Sequence, residues 1–253
     1  MIRMLKQYFT DLLRSLPKTN PFGEPVTVVG ATKTISQEDI AAAISSGLTD
    51  VGENKVQEFV QKFPYPPCNL HFIGHLQTNK VKYIIGKVCL IQSCDSVKLA
   101  EKISELAEKQ GINQNILLEV NVGKEPQKSG FMPEDIFNAY DKIAKLPNIT
   151  VKGIMTVLPD ANKINGDTSD TPAVETPPTI GADVNGANGE IASLCLQMRG
   201  IYDKLKSKDD RIDTLSMGMS ADYPIAVKYG SNMLRIGSYL FGKRHYNSGD
   251  NNV

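Results

Sequence analysis

Short apolar, β-rich runs alternate with amphipathic helical stretches from one end of the chain to the other. The strand-like runs fall at 26–32, 49–53, 70–74, 88–94, 115–122, 151–157, 213–218 and 233–237. Between them, apolar residues recur at helical spacing: Val56, Phe59, Val60 and Phe63; Leu99, Ile103 and Leu106; Ile136, Phe137, Tyr140 and Ile143; Ile191, Leu194, Cys195, Met198 and Ile201. Pro133 is expected in the first turn of one helix, and Gly47 and Gly111 just past the ends of two others. Strands separated by single helices imply right-handed parallel crossovers, and eight such units are the number that closes a (β/α)8 barrel. An open doubly wound sheet is the weaker alternative, because no GxGxxG follows the first run.

Two segments stand outside this alternation. The start, MIRMLKQYFTDLLRSL, carries Leu5, Tyr8, Phe9, Leu12, Leu13 and Leu16 at helical spacing, with three basic residues among them. Asp11 and the scarcity of serine argue against a mitochondrial presequence, so an extra outer helix is expected. Residues 159–190 hold six acidic residues, one lysine and no aromatic, with repeated Pro, Gly, Thr and Asn, and are expected to form a disordered loop insertion. The expected architecture is therefore a single α/β domain over 1–253, a (β/α)8 TIM-type barrel.

Lysine plus arginine and aspartate plus glutamate both number 28, which removes any global attraction to nucleic acid or to an acidic membrane. No apolar run is long enough to span a bilayer. Cys68, Cys89, Cys94 and Cys195 are scattered, and His71, His75 and His245 lack ligand spacing, so neither a disulfide frame nor a metal site is expected. A reduced cytoplasmic setting follows, with a mitochondrial fraction left open. The oligomeric expectation is a monomer.

Polar residues collect at the C-terminal ends of the runs, the ligand face of a barrel. Lys33 follows the first, Glu53 and Asn54 the second, and His75 and Gln77 the third. Ser216 and Met217 lie near the end of the seventh, and Arg235, Gly237 and Ser238 close the eighth. A phosphate cup in such a barrel usually forms after strands seven and eight from backbone amides at a short helix start. A strand-end amine facing that cup suits a phosphorylated aldehyde, of which pyridoxal 5′-phosphate is the common one. Ordinary roles compete: most lysines are solvated, and buried serines and histidines often only satisfy neighbours.

The pieces VVGATKT, VGENKVQE, HFIGHLQTNK, KSGF, VKGIMTV and LSMGMSADYPIAVKYGSNMLRIGSYLFGKR resemble, in this order, the pyridoxal phosphate homeostasis proteins. The resemblance spans 27–244, with the 159–190 insertion as its main departure. It implies a barrel similar to the N-terminal domain of alanine racemase, with pyridoxal 5′-phosphate held covalently on Lys33. Ser216, Gly237 and Ser238 would hold the phosphate, Met217 would line the same stretch, Arg235 would face the pyridine nitrogen, and Asn54 and His75 would flank the ring. Many relatives carry tryptophan where this chain has Leu70 before His71, and threonine where it has Ser238.

The expected role is a non-catalytic carrier or buffer of the cofactor, with apo-enzymes as recipients left open. Racemases of this fold use a further β-rich domain, and only 16 residues follow the last run, so no C-terminal β-domain is expected. A weak amino-acid racemase is the alternative; it needs a second proton-transfer group opposite Lys33. A Schiff-base aldolase is disfavoured because Lys152 opens the sixth run, at the stability face of a barrel. An interaction protein acting through its acidic insertion is the third reading.

Overall fold

The structure, a computed structural model, describes residues 2–160 and 187–242. Eight parallel strands close into one barrel in sequence order. They are β1 (Thr27–Ala31), β2 (Asp50–Glu53), β3 (Asn69–Phe72), β4 (Leu90–Cys94), β5 (Gln114–Glu119), β6 (Ile149–Met155), β7 (Thr214–Ser216) and β8 (Met233–Ile236). Around them run α1 (Ile2–Ser15), α2 (Gln37–Ser45), α3 (Val56–Lys62), α4 (Val97–Gln110), α5 (Ile136–Ile143), α6 (Ala187–Lys208), α7 (Tyr223–Lys228) and α8 (Ser238–Phe241), with a 3-10 helix over Thr78–Tyr83. All eight expected strands form, each within a few residues of its predicted bounds.

The strands read as near-continuous apolar runs because both of their faces are covered. Their alternation divides the core in two. Outward residues such as Val51, Phe72, Ile91, Ile116, Ile154, Leu215, Leu234 and Ile236 pack against the helices. Inward, Val29, Leu90, Leu117, Met155 and Met233 form a smaller separate plug. Each large side chain moved fully out of water stabilises the fold by roughly 1.5–3 kcal/mol.

Helix boundaries follow local chemistry. Ser36 and Ser96 cap α2 and α4 by accepting from the amides of Asp39 and Leu99. Gly111 ends α4 with φ 64, a left-handed conformation that glycine adopts at little cost. Pro133 lies in a turn ahead of α5, which begins at Ile136, so the proline leads into the helix without being part of it. The N-terminal helix forms as expected: α1 buries Phe9 and Leu13, Leu16 is buried just past its end, and the Phe9 ring meets Phe241 edge-on at 5.7 Å. That contact ties the chain start to α8 beside the end of the barrel.

Most of the 159–190 insertion lies outside the described residues. Its last four residues do not belong to a disordered loop, because 187–190 form the first turn of α6. Glu190 suits a helix start and Ile191 begins the face buried under the barrel. Among the described residues no helix is long and apolar enough to cross a membrane, no cluster has metal-ligand composition, and all four cysteines are free.

Candidate functional site

Barrel closure brings the two ends of the chain together. β1 pairs with β8, and Gly30 is registered with Ile236, so the turn that carries Lys33 emerges beside Gly237 and Ser238. The lysine and the cup are thus neighbours on one part of the rim. Lys33 is half-buried, and its amine has no hydrogen bond or ion pair among the described residues. Val29 belongs to the interior plug, and Lys33 stands in the turn two residues past the end of β1.

The turn is held from outside the barrel. Thr32 donates from its hydroxyl to Glu53 Oε1 at 2.6 Å, and its carbonyl accepts from Lys62 Nζ at 2.6 Å. Glu53 Oε1 also accepts from Lys62 at 2.7 Å and from Tyr65 at 2.9 Å, whereas Glu53 Oε2 is buried without a partner. Thr34 takes φ 64 while its amide donates to Glu58. The carboxylates of α3 and β2 therefore set the path of the residues on both sides of Lys33.

At the cup, the amides of Gly237 and Tyr239 both donate to one oxygen, Ser220 Oγ, at 3.2 Å each. Two amides at a helix start converging on one point form the cradle that a phosphate oxygen needs. Ser220 was not among the expected residues. LSMGMS contains two serines four apart, and only the fold separates them. Ser216 is fully buried inside the barrel, donating to Gln92 Oε1 at 2.7 Å and accepting from Arg235 Nη1 at 2.6 Å. Its hydroxyl is committed to the interior, whereas Ser220 Oγ stands at the point where the two amides converge. Met217 points the other way again, into the outer core beneath the helices. Alternation about the end of β7 thus sends Ser216 inward and Met217 outward.

Arg235 is buried, and besides Ser216 it donates from Nη2 to the carbonyl of Thr156 at 2.7 Å. Burial pulls its guanidinium down to about 10, while Asp222 and Glu119 pull it back up, and it stays cationic at neutral pH. Two of its five donors are used among the described residues, and the rest are free to meet an acceptor. Asn54 is half-buried just beyond β2. A Cβ on Gly74 would lie 2.0 Å from the Asn54 carbonyl oxygen, so only glycine allows these two rim loops to touch. His75 is 59% exposed at its side chain, and its Nδ1 lies 3.1 Å from both Asp95 Oδ2 and Ser129 Oγ.

Glu119, at the end of β5, adds a group outside the expected set. Burial first, and Asp95 second, raise its carboxyl to about 7, against opposing pulls from Arg235, His75 and Lys128. A polar residue at inward parity in the run NILLEV was the available signal. Lys152, the disfavoured alternative amine, is ion-paired with Asp213 at 2.5 Å away from this rim. The residues present fit a phosphorylated pyridine aldehyde: an unengaged amine, an amide cradle next to it, and a buried cation with spare donors.

Comparison with known proteins agrees with that chemistry. The family described as alanine racemase, N-terminal domain, matches residues 24–245. A pyridoxal phosphate homeostasis protein of Aquifex aeolicus is 37% identical over 223 residues, covering 87% of each chain. The PipY protein of Synechococcus elongatus, 26% identical, covers 94% of this chain and 100% of its own, with TM-scores of 0.75 without PLP and 0.72 with PLP bound. An alanine racemase of Clostridium difficile, 17% identical, shares the fold with a TM-score of 0.67, and this chain covers 58% of that longer one.

Proposed function

The chain belongs to the pyridoxal phosphate homeostasis proteins, within the alanine racemase N-terminal domain family, and from that membership we propose that it binds pyridoxal 5′-phosphate covalently on Lys33 and serves as a non-catalytic carrier or buffer. The observation that carries the proposal is the unengaged Lys33 amine placed, through the β1–β8 pairing, beside the amides of Gly237 and Tyr239. The named function of the relatives and the PLP-bound PipY structure support the same ligand.

In this reading Gly237, Tyr239 and the Ser220 and Ser238 hydroxyls receive the phosphate, and Arg235 faces the pyridine nitrogen. Asn54 and His75 flank the ring. Bound there, the cofactor would supply an aldehyde carbon that the Lys33 amine would hold reversibly, one water being released on attachment and taken up again on release. Arg235 is fixed by Ser216 and Thr156 and keeps its charge, which leaves the ring nitrogen without a proton and weakens the ring as an electron sink. A second proton-transfer group would be needed for racemisation. His75, the natural choice, is mostly exposed and shared between Asp95 and Ser129, so water has access to it. Delivery to apo-enzymes by transfer to their own lysines, action as a monomer and a cytoplasmic location belong to the same proposal.

Borohydride reduction followed by peptide mass spectrometry tests it. The expected result is one reduced phosphopyridoxyl group, on Lys33, together with negligible interconversion of D- and L-amino acids. Labelling at another lysine would overturn the attachment. Racemisation lost in Lys33→Ala would replace the carrier reading with the enzyme.

A further inference from the structure

Five polar side chains from five strands form one unbroken line inside the barrel. Arg235 Nη1 donates to Ser216 Oγ at 2.6 Å, and Ser216 donates to Gln92 Oε1 at 2.7 Å. Gln92 Nε2 then lies 3.0 Å from His71 Nδ1, and His71 Nε2 lies 2.9 Å from Asp50 Oδ1. Gln92 is the joint of this line, because it bridges from β4 across the barrel to β7.

Donor and acceptor counting leaves the line one direction. Ser216 has a single proton and already accepts from Arg235, so its proton goes to the Gln92 oxygen. Gln92 Nε2 also lies 3.2 Å from Met233 Sδ, so its two amide protons meet a ring nitrogen and a sulfur, both acceptors. The flipped amide would set its oxygen against that sulfur and its protons against the Ser216 hydroxyl. His71 must therefore be unprotonated at Nδ1 and carry its proton on Nε2, where it donates to Asp50. The carboxylate receives a further bond from Thr49 at 2.6 Å. A cation at one end and a carboxylate at the other polarise every bond between them the same way. An amide does not pass protons along, so the line transmits orientation and field.

We propose that Gln92, oriented by His71 and Asp50, is a positioning residue that holds Arg235 towards the ring nitrogen of the bound cofactor. The inference rests on the proposed ligand, and its test separates the two. In the cofactor-free protein, 15N NMR of the His71 ring should show the proton on Nε2 alone. Gln92→Met, close in volume, should bind added pyridoxal 5′-phosphate roughly tenfold more weakly and shift its absorbance band. The same variant should lose almost nothing with the analogue that has C–H in place of the ring nitrogen. Gln92→Glu keeps an acceptor for Ser216, so its affinity should stay within about threefold of the parent while His71 becomes doubly protonated.

A His71 proton on Nδ1 in the parent protein would overturn the proposal. So would a Gln92→Met loss that is equal for both ligands, or a Gln92→Glu loss as large as that of Gln92→Met. If Gln92→Met does not fold, the His71 tautomer and Gln92→Glu decide. Failure of the parent protein to take up pyridoxal 5′-phosphate at all would instead defeat the ligand, and this role with it, even where His71 has the expected tautomer.

Discussion

Two lysines meet at the end of β1, on either side of Thr32, and they live in opposite surroundings. Lys62, on the helix side, is 13% exposed at its side chain and lies within 2.6 Å of the Thr32 carbonyl, 2.7 Å of Glu53 and 3.5 Å of Glu58. Lys33, one residue past Thr32 at the barrel mouth, touches no acceptor among the described residues. Three oxygens around Lys62 Nζ leave no open side from which an aldehyde carbon can approach. The engaged lysine fixes the turn, and the unengaged one is presented by it. Lys62 engages the oxygens at the Thr32 carbonyl and the Glu53 and Glu58 carboxylates, and the Lys33 amine has no acceptor among the described residues.

The sharpest way to break this contrast is Lys33→Ala. Borohydride labelling should vanish entirely, while unfolding free energy changes by no more than about 0.5 kcal/mol, because no hydrogen bond or ion pair is lost. Residual labelling moved to Lys62 would show that the two amines are interchangeable. Lys62→Met tests the other half. It leaves the fully buried Glu53 without its cation and should cost about 3–5 kcal/mol in urea unfolding, with labelling of Lys33 retained in the folded fraction.

Glu119 extends the contrast to acids. Its folded value of about 7 lies above the roughly 4.3 of an unfolded chain, so between these values the native state holds a proton that the unfolded state has released. Stability of the cofactor-free protein should therefore fall as pH rises through that window, by on the order of 2–3 kcal/mol, and level off above it. Urea titrations across the window should show the fall in the parent and a shallower one in Glu119→Gln, where Asp222 is left as a carboxyl raised by burial. The smallest effect belongs to Tyr65→Phe, which removes one donor to Glu53 and should cost about 1.5 kcal/mol without altering Lys33 labelling.

The strands and their order were legible because a buried parallel strand has to be apolar on both faces, and short runs such as NILLEV and VKGIM leave little else to form. The strand-end positions of Lys33, Arg235 and Gly237 were legible because they follow directly from where the apolar runs stop. The serine of LSMGMS was not: Ser216 and Ser220 are alike in the sequence, and only the strand's alternation sends one to Gln92 and Arg235 and the other to the amides of Gly237 and Tyr239. Gln92 and Asp95 were not legible for a related reason, since nothing adjacent in the chain marks what they face, and Glu119 showed only as a polar residue at inward parity.

By itself, then, the order of residues determined a repeating strand–helix unit, its number, and which residues stand at strand ends, since these follow from local periodicity. The tertiary structure alone decided which amine is free, which serine meets the cup and that Asp50 and Arg235 share one line of hydrogen bonds. Those relations join residues far apart in sequence across a closed barrel, and closure sets their distances where no local rule does.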